Sequence, residues 1–475
     1  MPTEKTRLWA GVHCPALPLA AVWQLMPGQG PVAVHQQQRG QARILQASRK
    51  ALAAGVQPGQ PLSHALAILP QLQSRARKLG AEAATLEQIA LCAYGYSHQL
   101  VLAPPDTVLL EVGGSRRLHG GELEGLLESL RARLAEQDLI VRIGLAPVPA
   151  AARLLTRLGQ KAWDFDQLKR LFRQLPLDSL GLPDDQLQAL HGCGLRLAGD
   201  LLALPAAERT RRFGKALDQQ LAEWLGRRDT PLAAWQPRER FSLRLELPVT
   251  TDRTEALLFV CRRLFTQLGQ WLEVRDQALT RLKVTLERED HGPGPRFEIA
   301  LARPCFDLVR LLELASLKLE PLKLAAPITA IFLKADSTAE HRPPQADLFS
   351  GANRGDAWPA LLDRLSARLG EDGIASLAPR ADHRPEHSWS WVAPGTTAPA
   401  QEQRPRPSWL LPEPRPCRRE QMCLYEGPER IESGWWDGQD CCRDYWTAHD
   451  RHGRKLWIFR EHRPRDGWFI HGIFG

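Results

Sequence analysis

Between residues 240 and 335 the apolar residues change period from one segment to the next, and that succession constrains the fold more than anything else in the chain. FSLRLELPV alternates with a period of two, as one face of a strand requires. TEALLFVCRRLFTQLGQWLEV repeats every three to four residues, over a length that suits a helix. LTRLKVTLE and RFEIALA return to strand periodicity, and HGPGP between them supplies a turn. DLVRLLELASLKL is helical again, and ITAIFLKA closes the block as a strand. The order β-α-β-β-α-β predicts a split βαβ, ferredoxin-like arrangement.

Short apolar strands are expected at 8–12 (LWAGV), 31–34 (PVAV), 107–112 (TVLLEV) and 139–145 (LIVRIGL). Between them lie a helix over 61–69, ending near Pro70, and a second that carries Leu123, Leu126, Leu127, Leu130 and Leu134 at helical spacing. Strands alternating with helices imply an α/β layer with a central sheet. Residues 166–232 are Leu-rich with short glycine breaks and read as an all-helical module. After 336 the chain turns Pro-rich and polar, with one amphipathic helix at 358–370 and a linker over 393–416. The tail is rich in Trp, Tyr and Phe, and its strand-like stretches, one of them around Trp435-Trp436, read as a small β-rich unit whose rings form its core. A chain of 475 residues is too long for one core, so several domains are expected. Their bounds are 1–165, 166–235, 236–336, 337–416 and 417–475.

The formal charge is +8, which suits a polyanionic partner and also suits plain solubility. Nine cysteines are scattered without secretory spacing, as in a reduced, cytoplasmic chain. His13, Pro15 and Pro18 interrupt the apolar start, so it does not read as a signal peptide. No run approaches the ~18 apolar residues needed to span a bilayer, so no membrane partner is expected.

Residues 184–204, DDQLQALHGCGLRLAGDLLAL, read as a helix–hairpin–helix. Gly192 and Gly194 let the backbone approach a phosphate, and the amides opening the next helix would face it. Such a contact holds DNA without reading its sequence. A second basic stretch, with Arg209, Arg211, Arg212, Phe213, Gly214 and Lys215, is a candidate paired hairpin. The expected DNA-binding residues are Gly192, Gly194, Arg196, Arg211, Arg212 and Lys215. The plain alternative is a Gly-broken turn in a helical protein.

Gln345-Ala346-Asp347-Leu348-Phe349 sits in a polar, Pro-preceded stretch. An exposed Leu-Phe pair with a polar anchor suits a partner pocket and has the form of the bacterial sliding-clamp-binding peptide; a chance match is the alternative.

Acids are missing where two-metal chemistry would need them. A polymerase clamps two Mg²⁺ with carboxylates at strand ends. Here no Asp or Glu lies between Glu4 and Glu82, and the first strand offers only Gly11 and His13. Asp106 precedes the later strand, and Glu111 lies inside it as an ordinary polar alternation. Cys417, Cys423, Cys441, Cys442, His449 and His452 include no CxxC pair, so no zinc site is expected. No Walker loop, GxGxxG or Ser/His/Asp set points to another chemistry, and no cofactor is expected.

Taken in order, these parts resemble a Y-family DNA polymerase of the DinB and UmuC type. The stretches that carry the likeness are Gly30 to Val34, Ala54 to Gly59, Ile68-Leu69-Pro70 and Val141 to Ala146. LPLAAV, LLEVGGSRRLHGG, IGLAPVPAAARLLTR, QADLF and the tail GWWDG…RDYW…LWIFR…GWFIHGIFG resemble more closely the catalytically inactive branch that serves the bacterial mutasome. The fold class this implies is an α/β multidomain right hand, made of a palm with small fingers, a helix–hairpin–helix thumb and a ferredoxin-like little finger. A C-terminal aromatic-rich extension follows.

The resemblance places the family's first-strand metal aspartates at Gly11 and His13, and its palm Asp-Glu pair at Asp106-Thr107. The ribose-gating aromatic falls near Ala16 or Leu17, the triphosphate-contacting Tyr and Arg near Arg49 and Leu52, and the late palm Lys near Gln160. It therefore implies a non-catalytic adaptor in SOS-induced translesion synthesis and mutagenesis, with no catalytic residue and no metal. The implied partners are damaged or primer–template DNA, the sliding clamp, a RecA-like accessory protein and an error-prone replicative-type polymerase subunit. One rival is an active translesion polymerase using His13 with Asp106, although Mg²⁺ prefers oxygen ligands. Another is a helix–hairpin–helix repair module, for which Asp184 and Asp185 are the only local acid pair and serve better as helix caps.

Overall fold

The computed structural model describes residues 7–23, 30–114, 123–229, 231–341, 354–396, 405–463 and 466–475. The chain divides into two compact units, Met1–Asp347 and Leu348–Gly475.

The first unit begins β1 (Trp9–His13), α1 (Leu17–Trp23), β2 (Val32–Gln38), β3 (Gln41–Ala47), α2 (Arg49–Ala53), α3 (Leu62–Ile68), β4 (Gln73–Ala76) and α4 (Leu79–Tyr94). It continues with β5 (Leu100–Ala103), β6 (Thr107–Glu111), α5 (Leu123–Ala135), β7 (Arg142–Ala146) and α6 (Pro149–Leu158). The palm sheet has the order β5-β6-β1-β7, with every pairing antiparallel. One face packs Ala10, Val12, Val108, Leu110 and Ile143 against α4 and α5, whose leucines at 123, 126, 127, 130 and 134 are all buried. The other face packs Trp9, Leu109 and Ala146 against α6 and the helices that follow it. Cover on both faces explains why every residue of β1 and β6 is buried, and why their sequences read as apolar runs without alternation.

The expectation of a single central sheet for this part is corrected. The strand at 31–34 belongs to a second sheet, ordered β3-β2-β4, in which β2 and β4 run parallel. The cause lies in β2 itself, which is buried at Val32 to Val34 but exposed at Gln37 and Gln38. A strand with a polar end does not fit a doubly covered sheet.

The helical module comprises α7 (Phe165–Gln174), α8 (Asp184–Gly192), α9 (Ala198–Ala203), α10 (Ala206–Phe213) and α11 (Lys215–Trp224). It shares its core with α6 through Phe172, Leu190, Leu201, Leu217 and Trp224, and Phe172 meets Trp224 at 5.7 Å between ring centroids.

The block that the sequence marks most clearly follows as β8 (Ser242–Thr251), α12 (Thr254–Val274), β9 (Gln277–Arg288), β10 (Arg296–Cys305), α13 (Leu308–Leu319) and β11 (Ile328–Glu340). The sheet order is β10-β9-β11-β8. The last strand lies between the first two, so each helical crossover skips one strand and all neighbours are antiparallel. This is the expected split βαβ. Ion pairs Lys78–Glu246, Arg133–Glu273 and Arg238–Glu87 hold this domain to the palm side of the unit.

The second unit contains α14 (Arg354–Leu369), a hairpin of β12 (Ser376–Pro379) and β13 (Trp389–Val392), and a five-stranded antiparallel sheet. That sheet is built from β14 (Trp409–Pro416), β15 (Met422–Ser433), β16 (Cys441–Asp450), β17 (Lys455–Arg463) and β18 (Gly467–Ile473), in the order β14-β18-β17-β16-β15. The linker reading is corrected for residues 409–416. They form the edge strand β14, with Trp409 opposite Ile473 and Pro416 opposite Phe469. Pro412, Pro414 and Pro416 are compatible with a strand only because it is an edge, where one side needs no amide donor.

Candidate functional site

β1 runs between β6 and β7, and its register fixes the neighbours of each candidate residue. His13 lies opposite Thr107 on one side and Arg142 on the other. Gly11 lies opposite Leu109 and Gly144. Asp106 immediately precedes β6, and its carbonyl accepts from the Cys14 amide at 3.0 Å. His13, Asp106 and Thr107 therefore meet at one end of the palm sheet, while Gly11 sits two residues back.

Three groups approach one carboxylate oxygen of Asp106. The Thr107 hydroxyl donates to Oδ1 at 2.8 Å, His13 Nδ1 stands 3.4 Å away and Arg157 Nη2 3.5 Å. Partial burial works to raise the Asp106 pKa, but the His13 imidazole, the Thr107 hydroxyl and the Arg157 guanidinium outweigh it and hold the acid at about 2. Asp106 is thus a permanent carboxylate whose counter-charge is already supplied by protein.

Gly11 is closed to any side chain. A Cβ there would lie 2.8 Å from Thr156 Cγ2 and 2.9 Å from the Ala152 carbonyl. At Gly144 a Cβ would come within 2.4 Å of the Thr156 backbone. The Thr156 hydroxyl donates to the Gly11 carbonyl at 2.8 Å, with the Arg142 carbonyl at 2.9 Å, and accepts from the Gly144 amide at 3.0 Å. One hydroxyl thus ties α6 to β1 and β7, and the space a carboxylate at position 11 would need is filled.

Glu111 does not compensate. Expected as an ordinary polar alternation, it is in fact buried, and its Oε1 accepts from the amides of Gly113 (2.9 Å), Leu8 (3.3 Å) and Gly114 (3.3 Å). It ends β6 at the far end from Thr107, roughly 13 Å along a strand. A pair of Mg²⁺ ions needs several oxygen ligands arranged octahedrally. One carboxylate facing an arginine, with a hydroxyl and an imidazole beside it, does not fit that requirement. Among the described residues no group of three or more His, Cys, Asp or Glu is placed to hold a metal.

Sequence reading missed the basic side of this site. Arg153 and Arg157 are one turn apart on α6, Arg153 donates to the Pro104 carbonyl, and Arg142 donates to the Arg157 carbonyl at 3.1 Å. The available signal was the i, i+4 arginine pair in AARLLTR, which places both side chains on one helix face.

In the helical module, α8 ends at Gly192, Cys193 and Gly194 turn the chain with φ +77° at Gly194, and α9 begins at Ala198. Gly192, Gly194 and Arg196 are exposed, and a Cβ at either glycine would meet nothing within 4 Å. The amides expected to face a ligand are engaged internally. Asp200 accepts from Arg196 N at 3.1 Å and Leu197 N at 2.9 Å, and Gly194 N donates to the His191 carbonyl at 3.0 Å. The hairpin presents open glycine backbone and the Arg196 side chain. A second helix–glycine–helix, α10-Gly214-α11, has φ +89° at Gly214. Its basic stretch divides: Arg209 is buried against Asp218 (2.8 Å) and locks α10 to α11, while Arg211, Arg212 and Lys215 face solvent.

Gln345, Ala346, Asp347, Leu348 and Phe349 lie outside the described residues. In the second unit, Tyr445, Trp457 and Phe459 form the core of the sheet, with Tyr445 and Trp457 stacked at 4.1 Å. The strand reading around Trp435-Trp436 is corrected: both rings stand in an exposed turn. That turn opens at Gly434 with φ +91°, and Arg384 fixes it by gripping Asp437 at 2.6 Å while lying over the Trp436 ring.

The impB/mucB/samB family matches residues 22–157 of this chain. Over 470 aligned residues the chain is 29% identical to Protein ImuB of Caulobacter vibrioides (strain NA1000 / CB15N), covering 89% of this chain and 100% of that protein. It is 25% identical over 191 residues to DNA polymerase IV of Yersinia pestis (strain Pestoides F), covering 39% of this chain and 54% of that one. Among solved structures, DinB from Sulfolobus solfataricus superposes with a TM-score of 0.40 at 17% identity, covering 69% of this chain and 98% of that one. Residues 22–157 therefore match the impB/mucB/samB family, and the chain as a whole is similar to Protein ImuB over most of its length.

Proposed function

We propose that this chain is a non-catalytic, polymerase-derived adaptor of SOS-induced translesion synthesis and mutagenesis, working in the cytoplasm. It holds damaged or primer–template DNA and links it to the sliding clamp, a RecA-like accessory protein and an error-prone replicative-type polymerase subunit. The observation that carries the non-catalytic reading is Asp106, a lone strand-end carboxylate already facing Arg157, beside a Gly11 with no room for a second acid. Phosphoryl transfer depends on metal ions and positioned charge to stabilise its transition state, and these residues supply no two-metal set. The exposed glycine turns and the cations Arg196, Arg211, Arg212 and Lys215 support DNA binding, which needs no metal. The pentapeptide from Gln345 to Phe349 supports the clamp contact, and the second unit, with its exposed Trp435-Trp436 turn, is the candidate surface for the other proteins.

Primer extension with all four deoxynucleotides and Mg²⁺ or Mn²⁺, run beside a gel shift on the same primed DNA, tests the reading. Binding without extension is expected. Extension that disappears in Asp106→Ala would sink the non-catalytic claim. Replacing Gln345, Leu348 and Phe349 with Ala should abolish clamp capture in a pull-down, and undiminished capture would remove the clamp from the partners.

A further inference from the structure

The mismatch between this site and a metal pair leaves a question of charge. Arg153 and Arg157 lie one turn apart on α6, on the face that meets Asp106. Arg157 reaches the carboxylate, and Arg153 is anchored next to it on the Pro104 carbonyl, two residues before Asp106. Two guanidiniums thus stand near one carboxylate that only Arg157 reaches, with Arg142 exposed on the neighbouring strand. The local balance is positive where a polymerase keeps a negative one.

The cluster is also incompletely satisfied. His13, about nine-tenths buried, has no hydrogen-bonded partner for Nδ1, which faces Asp106 from 3.4 Å, and Arg157 Nε lacks a partner as well. Burial and the charge of Arg157 both depress the pKa of Arg153, so the two cations press on each other across a half-buried site. An anion between them would relieve that repulsion, and the planar guanidinium fork matches phosphate oxygens in pairs.

We infer that Arg153 and Arg157 form a metal-independent seat for a phosphate group at the end of the palm sheet. The phosphate is either that of a deoxynucleoside triphosphate or one in the backbone of bound primer. The inference rests on the non-catalytic reading of Asp106 and deepens it: the cleft is kept as an anion site after its metal chemistry is gone.

The test uses the full chain in EDTA, titrated separately with dATP and with a fluorescent primed duplex, for the parent protein, Arg153→Gln, Arg157→Gln and Arg157→Lys. A fall of about ten-fold in dATP affinity in both Gln variants, partly restored by Lys at 157, assigns the seat to a free triphosphate. A fall of that size for the duplex alone assigns it to backbone phosphate. Arg153 has no direct contact with Asp106, so its variant remains informative if Arg157→Gln proves unstable. The proposal is overturned if neither ligand shifts more than about two-fold in either Gln variant, or if dATP binds only once Mg²⁺ is added. Primer extension is read separately in Mg²⁺, so an active enzyme would defeat the adaptor reading without deciding this one.

Discussion

At the scale of single residues, Gly11 and Thr156 decide whether the first strand has room for an acid at position 11. Gly11→Asp sets a branched, charged side chain against Thr156 and the Ala152 carbonyl, so it should destabilise the chain by about 1–3 kcal/mol from overpacking alone. Urea unfolding measures this, and combining it with Thr156→Ser, which removes the offending Cγ2, should recover part of the loss. Additive losses would mean that the two side chains do not compete. Arg209 and Arg211 make a contrasting pair two positions apart. Arg209→Ala removes the hydrogen bonds to Asp218 and should cost about 2–3 kcal/mol. Arg211→Ala should change stability by less than about 0.5 kcal/mol while weakening DNA binding. The sequence shows a basic run here; that one arginine points inward follows from how α10 crosses α11.

At the scale of elements, the two helix–glycine–helix turns should act as phosphate clamps through side chains. Replacing Arg211, Arg212 and Lys215 with Ala should lower affinity uniformly across DNA sequences. It should also flatten the fall of log affinity with log salt by about 0.9 for each phosphate no longer neutralised. A gel-shift series in rising salt reads this, and an unchanged slope would move the interface elsewhere. Elements with strong periodicity, such as α5, α12 and α13, are legible in the sequence because one buried stripe dictates one period. Others are not. QARILQA and QSRA form β3 and β4 with Ile44 as their one buried side chain and the rest half-covered or exposed, so no alternation marks them. β14 is hidden by its prolines, which resemble a linker until β18 supplies a partner.

At the scale of the whole molecule, each unit has its own response to conditions. In the second unit, His471 is buried with Nδ1 2.7 Å from the Tyr445 hydroxyl, near Glu386 and Arg443, and burial pushes its pKa well below the usual imidazole range. The unfolded chain therefore takes up the proton first. Stability from this residue is complete above about pH 6.5 and is lost as pH falls through the lowered value. Asp444 is held at about 2 by Arg430, with burial opposing and His462 assisting, so it loses its contribution only below about pH 4. Thermal melts followed by tryptophan fluorescence should thus show a transition of the tail sheet that drops between about pH 6.5 and about pH 4, less steeply in His471→Asn. An equal slope in that variant would reject the assignment. In the first unit, the exposed pairs Lys78–Glu246, Arg133–Glu273 and Arg238–Glu87 are each worth roughly 1 kcal/mol or less.

The sequence by itself determines what needs only local information. It sets the β-α-β-β-α-β block, the glycine-broken helices and the absence of any acid between Glu4 and Glu82. Those features follow from period, backbone freedom and composition, which neighbouring residues carry. Only the tertiary structure decides what surrounds Asp106. His13, Asp106, Arg142 and Arg157 come from separate strands and a helix, and they meet because β1 lies in register between β6 and β7 with α6 tied across them by Thr156. Charge balance acts through space, so the arginine that faces Asp106 cannot be read from a chain in which the two stand fifty-one positions apart.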